Sequence, residues 1–257
     1  MDKASIGGVL LAIAGIVAGL LIEGGNLSQI LQPTAALIVF GGTMGAVLLQ
    51  FPLTTVTAAF RSMAHVFVAP RRQNGELIGL LVGFANKARR SGVISLDAEL
   101  NAIRDPFLKQ AIMLAVDGTE PTDLRKIMRV SLDCSLESEE RLPAVFESAG
   151  GFSPTIGILG AILGLIQVMQ HLDNIQEVGR GIAVAFVATI YGVGIANLFF
   201  LPFAGKMRIQ LRERHQCREM MLEGVISILE GMNPRMLEVK LSGFLNDIGR
   251  QEEESIA

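Results

Sequence analysis

Four long apolar runs cross this chain: Ile6–Ile22, Pro33–Phe51, Phe152–Gln170 and Gly181–Gly205. None holds an acid or a base. Each is close to the ~20 apolar residues that a helix needs to cross about 30 Å of hydrocarbon. The pattern predicts an all-α membrane protein with four transmembrane helices, the second started by Pro33 at its first turn. Glu23-Gly24-Gly25-Asn26 reads as the turn that ends the first. From Leu53 the period changes. Val56, Ala59, Phe60, Met63 and Val66–Phe67 recur on one helix face, and Pro70–Gly75 breaks them. Further helices are predicted over Glu76–Ser91, Ile94–Ile103, Phe107–Val116, Pro121–Leu136 and Leu142–Ala149, with Ser95 and Thr122-Asp123 as candidate caps. No alternating strand pattern persists. After the fourth run a helix is expected to continue through Lys206–Gly231 and to stop at Asn233-Pro234. Arg235–Leu245 then forms a last amphipathic helix, and Gln251–Glu254 frays. The expected organisation is 1–51, the first two spans with a short outer turn; 52–151, a cytoplasmic helical domain; 152–205, the last two spans; and 206–257, a cytoplasmic helical tail. No fixed-period repeat is visible.

Composition supports the membrane reading. Half the residues are hydrophobic, mean hydropathy is +0.47, and 18% are charged. The charges are segregated. All but Lys3 and Arg180 of the 22 Lys and Arg fall in Pro52–Gly151 or Lys206–Ala257. Basic residues stay on the cytoplasmic side, most strongly next to spans. Arg61, Arg71 and Arg72 after the second run, and Lys206, Arg208, Arg212 and Arg214 after the fourth, place both termini and the central domain inside. The short segments Glu23–Gln32 and His171–Arg180 lie outside. The first run begins near Met1 but is long for a signal core, and Asp2 cancels Lys3, so it is read as a span. A net charge of -3 gives no footprint for nucleic acid. Cys134 and Cys217 both fall in cytoplasmic regions, where a disulfide is not expected.

Candidate chemistry is sparse. His65, His171 and His215 lie in different regions, and no hydrolase, nucleotide-binding or metal-ligand motif is present. No enzyme, cofactor or metal site is expected. Gly41-Gly42-Thr43 and Gly45 read as close helix packing within a bilayer. The third run opens Ser153-Pro154-Thr155 and continues through Gly157, Gly160, Ala161 and Gly164. Pro154 either starts the helix or bends it by freeing a carbonyl. In Ala188-Thr189-Ile190-Tyr191-Gly192, Thr189 either bonds back one turn or faces a water path. Thr155 to Ala161 and Thr189 to Pro202 are candidates to line one seam. No span carries a titrating group, so moving ions requires a partner chain that supplies the carboxylate. In the central domain, Lys87-Ala88-Arg89-Arg90-Ser91-Gly92 with Asp97 and Glu99 is either a solvated helix surface or a charged docking surface for a large partner.

Across nearly its whole length the chain resembles the MotA/PomA stator subunits of the bacterial flagellar motor. The likeness is carried by Glu23-Gly24-Gly25, Ala36–Gly45 (ALIVFGGTMG), Ala88–Gly92 with Leu96-Asp97, and Pro154–Gly157 with Gly160 and Gly164–Ile166. It continues in Ile182–Ala185, Ala188–Gly192, Ala196-Asn197, Leu201-Pro202, Glu223-Gly224 and Gly231–Arg235. The glycine-rich second run is most similar to the MotC-type subgroup. The resemblance implies a homo-oligomer, a pentamer in that family, in the bacterial cytoplasmic membrane. It would surround a MotB-like single-span partner bearing the ion-binding aspartate, and ion flow would turn the rotor protein FliG in flagellar rotation and chemotaxis. It implies ion-path positions at Pro154, Thr155, Ala161, Thr189 and Tyr191, rotor contacts at Arg89, Arg90 and Asp97, and torque-linked prolines at Pro154 and Pro202. Asp97 departs from the glutamate usual there. Sodium-driven members carry threonine where this chain has Ala161 and a Thr-Thr pair where it has Ala188-Thr189, so the proton is the expected ion, a PomA-type sodium stator being the alternative. An ExbB/TolQ-like energiser, with three spans, is the other reading.

Overall fold

The computed structural model describes residues 3–66 and 74–244, with side-chain burial for 7–63 and 75–244. Arg71, Arg72, Phe67, the Pro70–Gln73 part of the expected break and Gln251–Glu254, where fraying is expected, lie outside the described residues. The elements run α1 (Lys3–Ile22), a 3₁₀ turn (Leu27–Gln29), α2 (Pro33–Gln50), α3 (Leu53–Val66), α4 (Asn74–Ser91), a second 3₁₀ turn (Val93–Glu99), α5 (Pro106–Val116), α6 (Pro121–Gln170), α7 (Ile175–Ile195), a π-helical turn (Ala196–Phe200) and α8 (Leu201–Leu229). A last helix, α9, is described over 234–244. Among the described residues there is no strand, and the all-α class holds.

Local chemistry sets most of the boundaries. Pro33 occupies the first turn of α2, where its missing N–H costs nothing. The Asp105 carboxylate accepts from the Phe107 and Leu108 N–H groups, 2.9 and 3.0 Å away, and starts α5 ahead of Pro106. The Asn174 side-chain oxygen accepts from the Gln176 and Glu177 N–H groups and starts α7 six residues before the fourth apolar run. α4 ends where Gly92 takes φ +79°, a region that favours glycine. The helix expected over Ile94–Ile103 is therefore a short 3₁₀ turn that buries Leu96 and then loosens.

Two joins differ from the expected pattern. Pro121–Leu136, Leu142–Ala149 and Phe152–Gln170 form one 50-residue helix, α6, with Pro143 and Pro154 inside it. Each proline removes one backbone bond without stopping the chain. The second join is the wide turn after α7. Pro202 has no N–H to close an α-helical bond to Leu198. The Leu201 N–H bonds five residues back to Ala196 O, and α8 continues beyond.

The chain forms two compact units. The first is Met1–Ala69 with Glu140–Arg208; the second is Pro70–Glu139 with Ile209–Ala257. In the first, Ala35 and Val39 of α2 pack with Val184, Val187 and Ala188 of α7. A second cluster joins Val47, Val56, Ala59, Val145, Phe146, Ala149, Ala204 and Met207. The second unit has its own core around Leu81, Leu96, Leu108, Ile112, Leu124, Met128, Val225, Ile226, Leu237 and Leu241. α2, α6 and the continuous helix Ile175–Leu229 are long and apolar enough to cross a membrane by length and composition; Gly7–Ile22 is a shorter apolar stretch. Large apolar side chains face outward on the first unit, with Leu37 76%, Leu49 91% and Phe186 69% exposed. Such a surface suits lipid and would not suit water.

Candidate functional site

Small residues of the last two apolar runs form one tight seam between α6 and α7. On α6 it is Ser153, Gly157, Gly160 and Gly164; on α7 it is Gly181, Ala185, Ala188 and Gly192, all buried. Backbones meet there. A Cβ at Gly192 would lie 2.5 Å from Ser153 O and 3.0 Å from Gly157 Cα; one at Gly157 would lie 2.8 Å from Ala188 O. Small residues permit such contact between membrane helices. The fully buried Ser153 hydroxyl donates to Gly192 O at 2.9 Å and fastens the seam at that level. Ser153 is not among the path positions expected from sequence, which fall on its neighbours Pro154 and Thr155. Its signal was the four-residue spacing to Gly157.

The expected path residues are not all on this seam. Thr155 is exposed and donates to Phe152 O at 2.7 Å. Thr189 is half-buried and donates to Ala185 O at 3.2 Å, so its hydroxyl is satisfied within its own helix. Ala161 is half-buried beside Gly160. Pro154 lies in the interior of α6, which removes the possibility that it starts the helix. Its ring deprives Gly150 O of a donor, and at Gly150 the side chain of Leu201 fills the space a Cβ would need. Pro202 is exposed, two residues past the end of the π-helical turn. Tyr191 reaches across to α2. Its hydroxyl donates to Ile30 O at 2.5 Å and accepts from the Gln32 N–H at 3.4 Å, and its ring tilts against Phe40 with centroids 6.3 Å apart. Those backbone groups precede α2 and would otherwise lack partners.

The charged positions lie in the second unit. Arg89 and Arg90 are exposed in the last turn of α4, and Asp97 is exposed on the 3₁₀ turn after Gly92. Arg89 and Asp97 thus belong to two elements. The turn is tied back to α4 by Lys87, whose Nζ donates to Glu99 at 2.6 Å, a pair the sequence did not single out. Deeper in this unit Glu223 of α8 accepts from Arg125 of α6 and, at 3.0 Å, from Lys240 of α9. Lys240 also donates to the Ser227 hydroxyl at 3.0 Å. Burial pushes the Glu223 carboxyl up, but the bonds from Arg125 and Lys240 and their charges outweigh it and hold the group below the usual carboxylate range. Burial pushes the Cys217 thiol up, and both cysteines are free. Among the described residues no group of three or more His, Cys, Asp or Glu is arranged to hold a metal.

Known proteins match this arrangement over almost its full length. Residues 99–220 match the MotA/TolQ/ExbB proton channel family, and residues 6–92 match the Motility protein A N-terminal family. Motility protein A of Bacillus subtilis is 35% identical over 250 residues, covering 95% of this chain and 91% of the relative. The chain superposes on the solved C. jejuni MotAB structure with a TM-score of 0.89 at 32% identity, over 95% of this chain and 96% of that one. The flagellar MotAB stator complex of Bacillus subtilis gives 0.87 at 34% identity, over 98% and 99%. The chain belongs to the MotA/TolQ/ExbB proton channel family, and its N-terminal part is that of the motility proteins.

Proposed function

We propose that this chain is the membrane stator subunit of a bacterial flagellar motor. It assembles as a homo-oligomeric ring, a pentamer, around a MotB-like partner, and it converts ion flow into torque on the rotor protein FliG. The observation that carries the reading is a channel-family fold whose spans contain no titrating group. Backbones in contact along Ser153–Gly164 leave no room for an ion within the α6–α7 seam, so the path runs along the outer face of these helices. Thr155 is exposed and Ala161 half-buried on α6, and Thr189 and Tyr191 brace the neighbouring helix. The carboxylate that takes up and releases the ion then belongs to the partner's helix. Loss of a hydroxyl at Ala161 removes an oxygen ligand that sodium would need, which favours the proton. Charge segregation supports four spans in the cytoplasmic membrane with both termini inside. Arg89, Arg90 and Asp97 on the cytoplasmic domain meet the rotor, while Pro154 and Pro202 shape the helices that transmit motion. The motility-type N-terminal match and the motility-protein relatives favour this reading over an ExbB/TolQ-like energiser.

Reconstitution tests it. Vesicles holding this chain with its single-span partner should take up protons under an imposed potential. Vesicles holding this chain alone, or a partner whose membrane aspartate is changed to asparagine, should not. Proton current from this chain alone would overturn the reading.

A further inference from the structure

A small cavity of about 60 Å³ lies within the first unit, away from the α6–α7 seam. Its lining comes from four elements: Phe40, Thr43, Met44 and Val47 of α2, Phe60 of α3, Val145, Phe146 and Ala149 of α6, and Phe200 of the π-helical turn. Thr43, Val47, Val145 and Phe146 are buried, at most 4% exposed, and form the floor. Phe40, Met44 and Phe60 are 46%, 37% and 37% exposed and form a mouth on the apolar outer surface. One polar side chain is present, and it is anomalous. The Thr43 Oγ1 is buried and has no hydrogen-bond partner. Thr155 and Thr189, on the neighbouring helices, each return their hydroxyl to a carbonyl of their own helix.

We propose that this cavity is a binding site for a slim aliphatic alcohol, whose oxygen bonds the Thr43 hydroxyl while its chain runs out between Phe40, Met44 and Phe60. A buried hydroxyl without a partner is costly, and a ligand that supplies one recovers that cost. Water fits poorly, because an ordered buried water needs 2–4 polar partners and only one side chain here offers any. The volume is well below the ~150 Å³ that admits benzene to a dry cavity, which excludes a ring and admits a single alkyl chain. The mouth opens on the apolar outer surface, which suits lipid, so such a ligand would enter from the bilayer. An occupant touches α2, α3, α6 and the wide turn before Pro202 at once, and so braces the turn against the other three. The site is independent of the motor reading above, since its test needs neither partner nor rotation.

The test is photolabelling of the full-length chain in lipid nanodiscs with a diazirine-bearing octanol, read by peptide mass spectrometry. The expected result is saturable labelling within 40–47, 145–149 or at Phe200, displaced by 1-octanol. Thr43→Val should reduce it about fivefold, the effect of one net hydrogen bond, and Thr43→Ser should retain it. Val145→Phe, which fills the cavity, should abolish it. Three outcomes would overturn the proposal: label spread evenly over outward residues such as Leu37 and Leu49, undiminished labelling in Thr43→Val, or equal labelling by the corresponding diazirine alkane. The last would mean that a lipid tail fills the space without using the hydroxyl.

Discussion

At Gly192 the missing Cβ is what lets α6 and α7 touch through their backbones, and two residues along the same helix the requirement vanishes. A methyl group at Gly192 would stand 2.5 Å from Ser153 O, whereas one at Gly194 meets nothing within 4 Å. Gly192→Ala should therefore cost about 1–3 kcal/mol through overpacking, read as a lower melting temperature of the purified protein, while Gly194→Ala should be neutral. Equal effects would mean that the seam is not tightly closed. These glycines were visible in the sequence as small residues, but their partners were not. In a run that is apolar all round, polarity no longer distinguishes the lipid face from the packed face, and only residue size carries the register. That is why Thr155, two residues from Ser153, was expected in the seam but faces outward. Glu223 shows a different kind of gap. It was legible only as part of a motif, because Arg125 and Lys240 lie 98 and 17 residues away in sequence. Its carboxyl is depressed from an ordinary value of 4.5. The stability it contributes is complete above that value and is lost as the pH falls through the depressed one. Amide-exchange protection of 234–244 should thus decline below about pH 4.5 in the parent protein. Glu223→Gln should show reduced protection at neutral pH with no further acid step. An unchanged acid step in that variant would locate the sensitivity elsewhere.

Among the elements, the short helices of the second unit and the starts of α2 and α5 follow directly from periodicity, proline and capping. The long helices do not. The breaks expected between Leu136 and Leu142 and between Ala149 and Phe152 are absent, and α6 runs through them and through Pro143 and Pro154, since neighbours packed around a helix can offset one lost backbone bond. The π-helical turn was invisible for a related reason: it is a shift of hydrogen-bond register, and the side-chain pattern around it remains apolar. Pro202 is its one local cause. Pro202→Ala restores an N–H and should let the α-helical register close through 196–202, removing the wide turn. Pro154→Ala should likewise restore a donor to Gly150 O. If these irregularities transmit motion, both variants should reach the membrane in normal amounts and lower torque in tethered-cell rotation; unchanged torque would reduce them to packing features. The charged surface separates in the same way. Arg89 and Asp97 sit on different elements on either side of Gly92, so the angle between α4 and the 3₁₀ turn sets their spacing, and the Lys87–Glu99 pair bridges the two elements. Arg89→Glu should weaken coupling to the rotor without loss of membrane insertion, and normal torque in that variant would count against docking there.

For the whole molecule the physical constraint is that a protein whose spans hold no titrating group cannot take up and release a proton within the membrane by itself. It can only shape the path and respond to a titration that takes place on another chain. That division makes ion choice a matter of oxygen ligands along the path. Sodium must exchange several water oxygens for protein oxygens, and a proton needs a single acceptor. Thr155 and Thr189 direct their hydroxyl hydrogens to carbonyls of their own helices and keep their oxygen lone pairs, while Ala161 and Ala188 have no hydroxyl to add. If the path follows these positions, it offers two side-chain hydroxyl oxygens, fewer than sodium needs. Cells whose rotation depends on this subunit should swim at the same speed when potassium replaces sodium at constant proton-motive force, and should slow when a protonophore collapses that force. Ala161→Thr adds one oxygen beside Gly160, and with the single partner acid it should not by itself confer sodium dependence. A collapse of speed in potassium would mean that carbonyl or partner oxygens complete a sodium site that side-chain hydroxyls do not reveal.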